Sequence, residues 1–140
     1  MAAPLKFNQL LDSFAGPQLR RDVSAALFAA ADDVRARSRR SITAGSVGGI
    51  NHVPSAPGEP PNNDIGNLIA SHETAMPAWN HAQVIVRAPY AVPLEVGTSR
   101  MEPRPFLGPA TRASRKDTTK RLTLAIQQAA ARAAASVGGR

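Results

Sequence analysis

The chain has no cysteine, and this absence excludes two kinds of stabilising chemistry. Neither a disulfide framework nor a zinc site built on thiolates can form. Apolar runs are short, since no window approaches the roughly 18 consecutive apolar residues of a membrane-spanning helix. The first residues also lack a basic segment followed by a long apolar stretch. We therefore expect neither a secretory signal peptide nor a membrane span.

Aromatic side chains are few: one Trp, one Tyr and four Phe among 140 residues. Much of the apolar content is alanine, which buries little area per residue. A chain of this length fits one domain, and we interpret residues 1–140 as a single domain. Because its core is thin, we expect neighbouring subunits to complete it.

The sequence also lacks the residue patterns of familiar catalytic and metal sites. His52, His72 and His81 have neither the spacing of an HExxH helix nor that of a paired helical zinc site. The glycine cluster at 45–49 lacks the Lys-Ser/Thr of a phosphate-binding loop, and there is no Gly-x-Ser-x-Gly elbow. We expect a protein that is not an enzyme and that uses no cofactor or metal.

Positive charge is in excess, with 17 Lys plus Arg against 10 Asp plus Glu and a net charge of +7. Such a balance suits an acidic partner or DNA. A solvated surface with ion pairs between subunits explains it equally well. The cations form two clusters, one of Arg35, Arg37, Arg39 and Arg40, the other of Arg112, Arg115, Lys116, Lys120 and Arg121.

Apolar residues spaced three and four apart predict two long helices. The first helix, over 17–42, has the stripe Leu19, Val23, Leu27, Ala30 and Val34. The second, over 105–137, has the stripe Leu122, Ile126, Ala129, Ala133 and Val137. Pro17 is acceptable at a helix start, and the glycine pair after Val137 provides a stop.

Between the helices, the region 67–87 predicts a small antiparallel sheet. One strand is expected from Asn67 to Met76 and the other from Gln83 to Arg87, where three consecutive β-branched residues favour a strand. The predicted fold class is therefore α+β, with two long helices packed on a small antiparallel sheet. Two Pro/Gly-rich segments, 44–64 and 88–105, are predicted to be extended loops.

These two segments resemble a known family. The second matches a Glu-x-Gly-Thr-Ser-x-Met-x-x-Arg-Pro-Phe-Leu-x-Pro-Ala pattern, which runs from Glu95 to Ala110 and is preceded by Tyr90. The first, Ser-Ala-Pro-Gly-Glu-Pro-Pro at 55–61 followed by Asp-Ile-Gly-Asn-Leu at 64–68, is similar to a second element of the same family. The family is that of the gene-product-10-like tail-component or neck proteins of HK97-type siphophages. The match departs from the family pattern at Pro93, Val96, Ile65 and Gly108.

The resemblance implies a structural virion protein of a tailed phage, assembled in the bacterial cytoplasm and located in the neck or tail. Its subunits would form a homo-oligomeric ring of six that joins the DNA-filled capsid to the tail. The implied partners are head-side connector or stopper proteins and tail terminator or tail tube proteins, with non-specific contact to DNA in the lumen. A tail terminator or tail-completion protein that caps the tube is the alternative, and a DNA-binding protein is a further one.

We expect the two Pro/Gly-rich segments to be the arms that grip adjacent subunits. The stiff path set by prolines and the close approach allowed by Gly97 support this reading. Phe106 and Leu107 either anchor the arm in a neighbour's apolar pocket or begin the last helix within the subunit's own core. The candidate interface residues are Pro57, Glu59, Pro60, Tyr90, Glu95, Gly97, Arg104, Pro105, Phe106 and Leu107.

Overall fold

A computed structural model describes residues 16–44 and 47–138. It contains four α-helices and one two-stranded antiparallel sheet, and it confirms the α+β class predicted from the sequence. Residues 1–15, which include Phe7 and Phe14, lie outside the described residues.

Helix α1 covers Pro17–Thr43, one residue longer than the predicted 17–42. Pro17 occupies the first turn, where its missing N–H leaves no hydrogen bond unmade. Ala30, Ser38 and Ile42 are its buried residues, whereas most of the predicted apolar stripe is only half-buried. The small alanine side chains of α1 therefore leave a groove along one side of the helix.

A single 3₁₀ turn, Gly49–Asn51, interrupts the loop after α1. The first predicted strand is wrong at its beginning, because Asn67–Ala70 forms the short helix α2. Gly66 starts this helix with a φ of 85°, which is a left-handed conformation that favours glycine. This turn buries Leu68 against the core, and the strand begins only after it, at His72.

Strand β1 is His72–Ala78 and strand β2 is His81–Val86. His72 pairs with Val86 and Thr74 with Val84, and the register is irregular between Ala75 and Ala78. Pro77 lies in that irregular part, where its lack of an N–H is tolerated. The hairpin tip is attached to α1, since the Ser24 hydroxyl donates to the Trp79 carbonyl at 2.9 Å.

The segment predicted to be extended over 88–105 contains a helix, α3, at Ala91–Val96. This correction has a packing reason, because α3 buries Ala91 and brings Leu94 against the core. The last helix, α4, covers Leu107–Gly138 and begins two residues later than predicted. Pro109 fits within its first turn, where backbone N–H groups have no partner inside the helix.

Helix α1 is the central element and packs along α4 and against both strands. Side-chain contacts join α1 to α4: Arg132 lies 3.1 Å from Asp22, and Arg37 bridges Asp33 and Asp117. The core lies at the C-terminal end of α1. It is built from Ile42, Leu68, Ala91 and Phe106, with Ile69, Val86, Ala88, Leu94 and Leu107 around them.

Within the described residues, no helix has the length and apolar character needed to cross a membrane.

Candidate functional site

Glu95, on α3, caps the N-terminus of α4. Its Oε2 accepts hydrogen bonds from the backbone N–H groups of Phe106 at 2.9 Å and Leu107 at 3.0 Å. Its Oε1 accepts one from Gly108 at 2.7 Å. These N–H groups belong to the exposed first turn of a helix, and a carboxylate there also meets the positive end of the helix dipole. Glu95 therefore fixes the start of α4 relative to α3.

Gly97 ends α3 and begins a tight turn. Its φ of 78° with a ψ of 179° is a conformation that residues with a side chain rarely adopt. A Cβ placed here would lie 2.8 Å from the Met101 carbonyl oxygen and 2.9 Å from Cδ of Pro103. The turn closes where Thr98 N–H donates to the Met101 carbonyl at 2.8 Å. The glycine is thus required both by the backbone angle and by the close approach of the returning chain.

Arg104 joins the second motif segment to the first. Its backbone N–H donates to the Leu94 carbonyl at 2.7 Å, and its Nε donates to the Ser55 carbonyl at 3.1 Å. Next to it, the Gly58 N–H donates to the Pro103 carbonyl at 2.9 Å. We call the two bonded segments, residues 55–61 and 94–108, the clasp. The two motif segments therefore lie together within one chain.

Phe106 belongs to the core of its own subunit. Its side chain is 2% exposed and meets the His72 ring edge-on, with 5.8 Å between ring centroids. Leu107 packs half-buried beside it. Of the two alternatives for this pair, the structure therefore shows the one within the subunit, and an anchor in a neighbour's pocket is wrong for Phe106.

The other interface candidates divide by exposure. Pro57 and Glu59 are exposed, Tyr90 is 42% exposed, and Pro60 and Pro105 are half-buried. Near these residues a groove of about 380 Å³ is lined by both motif segments, including Ser55, Pro61, Ile65, Tyr90 and Arg104.

Apolar side chains project from the same region. Ile50 is fully exposed, Val53 is 63% exposed and Ile65 is 72% exposed. We call residues 47–66 together with Tyr90 the loop surface. Ile50 and Val53 lie in the segment 44–64 that was predicted to be an arm, but none of the three was named as a candidate, since nothing in a Pro/Gly-rich loop indicates which apolar side chains point outward.

The two basic clusters differ in their partners. In the first, Arg35 pairs with Asp32 at 2.6 Å and Arg37 pairs with Asp33 at 2.8 Å. The second cluster, on α4, makes no ion pair to another described residue through Arg112, Arg115, Lys116, Lys120 or Arg121. Arg39 and Arg40 of the first cluster likewise make no ion pair to another described residue, whereas Arg132 further along α4 pairs with Asp22.

His72 is the one buried histidine among the described residues. Its Nδ1 lies 2.8 Å from the Leu68 carbonyl oxygen and its Nε2 lies 2.9 Å from the Ser38 hydroxyl. A neutral ring suits both contacts, with Nδ1–H donating and Nε2 accepting. Burial lowers the pKa of His72, and the nearby cations Arg39 and Arg35 lower it further. The ring supports the core and has no exposed face for chemistry.

Among the described residues, no three His, Asp or Glu side chains come close enough together to hold a metal ion. The candidate site is the loop surface together with the clasp that supports it. No family model, no curated protein and no solved structure matches this chain.

Proposed function

We propose that this protein is a structural virion component that forms a ring in the neck of a tailed phage and joins the capsid to the tail. The observation that carries the proposal is the clasp. Backbone and side-chain hydrogen bonds hold both motif segments in one conformation, while apolar side chains of the adjoining loop surface face outward. A rigid support beneath an exposed apolar surface is what a subunit interface needs.

The energetics favour a surface that is covered in an assembly. Full burial of a Val or Ile side chain contributes about 1.5–3 kcal/mol. Ile50, Val53 and Ile65 are a substantial apolar contribution for so small a chain. The subunit's own core supports this reading, because its buried cluster has only four apolar residues in the described chain.

Assembly of the purified protein tests the proposal. We expect concentration-dependent formation of closed rings, six subunits being the expected number, in the absence of DNA. Native mass spectrometry gives the subunit number and negative-stain electron microscopy shows whether the rings are closed. A chain that stays monomeric up to hundreds of micromolar, alone and with isolated phage heads or tails, would contradict the proposal.

A tail terminator is also a ring, so the assembly test supports it equally. The two roles differ in position, because a terminator ends the tail tube whereas a neck ring lies on the capsid side. Binding of the labelled protein to tail-less heads or to head-less tails distinguishes the two roles. Binding to heads supports the neck ring.

The second basic cluster, whose five cations on α4 make no ion pair to another described residue, favours DNA binding as a second candidate function. Binding through phosphates falls steeply with salt, roughly in proportion to the number of contacts. Strong duplex binding by the monomer, lost between 50 and 200 mM salt, would favour this candidate. Rings that assemble without DNA and bind duplex weakly would favour the neck protein.

A further inference from the structure

Charge is divided unevenly along this chain. From Ser41 to Val86 there is no Lys or Arg, and the carboxylates Glu59, Asp64 and Glu73 give a net charge of −3. The rest of the chain has all 17 cations against seven carboxylates. The loop surface lies wholly within the acidic part, apart from Tyr90. The charged residues within 47–66 are Glu59 and Asp64, both negative, and one cation, Arg104, lies at the base of the loop beside Ser55.

The loop surface is also held in shape before any partner binds. Asp64 Oδ1 accepts a hydrogen bond from the Gly49 N–H at 2.9 Å, and Asn62 Nδ2 donates to the Val53 carbonyl at 2.8 Å. At its base the Asn63 N–H donates to the Ile42 carbonyl at 3.1 Å. The first bond fixes the residues next to Ile50 and Ile65, and the second fixes Val53 itself. Association therefore costs less conformational entropy than it would for a loose loop.

A complementary feature lies elsewhere on the molecule. A groove of about 470 Å³ runs between α1 and α4, next to Ala82 of β2. Its floor is apolar, from Leu27, Ala30, Ala31 and Val34, and its rim includes Arg112 and Arg115. Neither arginine makes an ion pair with another described residue. The groove thus combines an apolar floor with an unneutralised positive rim.

We propose that the loop surface of one copy docks into the α1–α4 groove of the next copy. This inference rests on the proposed ring and deepens it by naming the two faces that meet. The apolar side chains match the apolar floor, and the acidic loop matches the basic rim. Within its own chain the loop surface is held away from the groove, because the Asn63 N–H donates to the Ile42 carbonyl and the Gly58 N–H donates to the Pro103 carbonyl. Ile42 lies 11 residues along α1 from Ala31 of the groove floor, or about 16 Å.

The two faces are different surfaces of the subunit, so the contact is heterologous. Such a contact repeats from copy to copy, and it makes a ring when the rotation closes. The groove also explains why α1 is rich in alanine along this side, because small side chains leave the space that a neighbour's isoleucine occupies.

Cross-linking of single-cysteine variants tests the inference, and the native chain contributes no thiol of its own. Ile50→Cys and Thr119→Cys are prepared separately, mixed, and treated with a short bis-maleimide. Both positions are exposed, and Thr119 lies on the groove. We expect a cross-linked dimer from the mixture and none from either variant alone. Gln128→Cys is the matched control, since it is exposed on α4 about half a turn around the helix from Thr119.

Three results would overturn the inference. In the first, rings assemble but Ile50→Cys cross-links to itself, or cross-links to Gln128→Cys as readily as to Thr119→Cys. This result would reject the contact between these two faces and leave the proposed function standing. Cross-linking within a Phe7→Cys/Thr119→Cys monomer would assign the groove to the chain's own first residues. Absence of any oligomer would reject the proposed function together with this contact.

A second measurement does not depend on a cross-linker. Ile50→Ser removes an apolar side chain that touches little in the monomer, so the fold should be unchanged by circular dichroism. We expect the protein concentration needed for ring formation to rise about tenfold or more. Val92→Ser is the matched control, because Val92 is 69% exposed on α3 and lies outside the loop surface. Equal effects of the two substitutions would overturn the inference.

Discussion

Glu95 Oε2 lies 2.9 Å from the backbone nitrogen of Phe106, 11 residues further along the chain, and this contact connects α3 to the start of α4. The same carboxylate accepts from the next two N–H groups. The buried ring of Phe106 holds that turn against Ile42 and Leu68. The two motif residues therefore act together, one fixing the backbone of the first turn and the other its packing.

Glu95→Gln should destabilise the subunit. An amide has one oxygen in place of two, so at least one N–H of the first turn loses its acceptor, and the negative charge at the helix N-terminus is lost. We expect a loss of about 2 kcal/mol in the free energy of unfolding, measured by urea denaturation. Glu102→Gln is the control, because Glu102 is exposed and has no hydrogen bond to a described residue. Equal stability of the two variants would refute the capping role.

Gly97→Ala should cost more than an alanine at another glycine with positive φ. Gly58 has a φ of 83° but no atom within 4 Å of its added Cβ, so Gly58→Ala tests backbone strain alone, at about 1 kcal/mol. At Gly97 the same strain is joined by a clash with the Met101 carbonyl and Pro103. We expect a loss of about 3 kcal/mol there, read from the same urea transitions. A Gly97→Ala loss no larger than that of Gly58→Ala would contradict the clash.

The long helices were predictable from the sequence because their apolar residues recur at helical spacing over many turns. The short helices α2 and α3 were not, since each covers fewer than two turns and depends on packing of Leu68 or Ala91 against the core. Proline at position 93 also made a helix there less expected, although the third position of a helix tolerates it.

Partners distant in sequence explain what was missed at the site. Arg104 was expected among the interface residues, and its Nε donates to the Ser55 carbonyl of the same chain, 49 residues earlier. Phe106 was left with two alternatives because an apolar residue after prolines can equally begin a helix or anchor an arm. Only tertiary structure decides such cases.

His72 should make the stability of the protein depend on pH below neutrality. Its pKa in the folded state is lowered from the ordinary 6.5 by burial, so the unfolded chain binds the proton more readily. The free energy of unfolding should therefore fall as the pH drops below 6.5, and should level off for this group below its folded-state pKa. Carboxylates such as Asp33, whose ordinary pKa is 3.8, contribute to the pH dependence of stability only at lower pH. Urea denaturation between pH 7.5 and 5 measures the effect.

His72→Gln should flatten that dependence, because glutamine does not titrate. The substitution also lowers stability at every pH, so the slope with pH is the informative quantity. His81→Gln is the control, since His81 is exposed. If the pH dependence remained in His72→Gln and disappeared in His81→Gln, His81 would be its source and the prediction for His72 would be wrong.

Arg104→Ala should release the loop surface without unfolding the helices. Arg104 Nε holds the Ser55 carbonyl, and Ser55 precedes the turn in which Gly58 N–H binds Pro103. Loss of the guanidinium removes one of the hydrogen bonds that join the two halves of the clasp. The loop then opens locally at a smaller cost than global unfolding. We expect the Gly58 amide to exchange with deuterium about tenfold faster, while amides in the middle of α1 are unchanged.

Arg100→Ala is the matched control, because Arg100 is an exposed arginine of the same segment whose side chain makes no ion pair with another described residue. Its exchange profile should equal that of the unmodified chain. Uniformly faster exchange in Arg104→Ala, including α1, would mean that the arginine supports the whole fold. Unchanged exchange at Gly58 would mean that the Pro103 carbonyl alone holds the clasp. Only a local effect fits a guanidinium that holds the loop surface in the shape required by the proposed contact between copies.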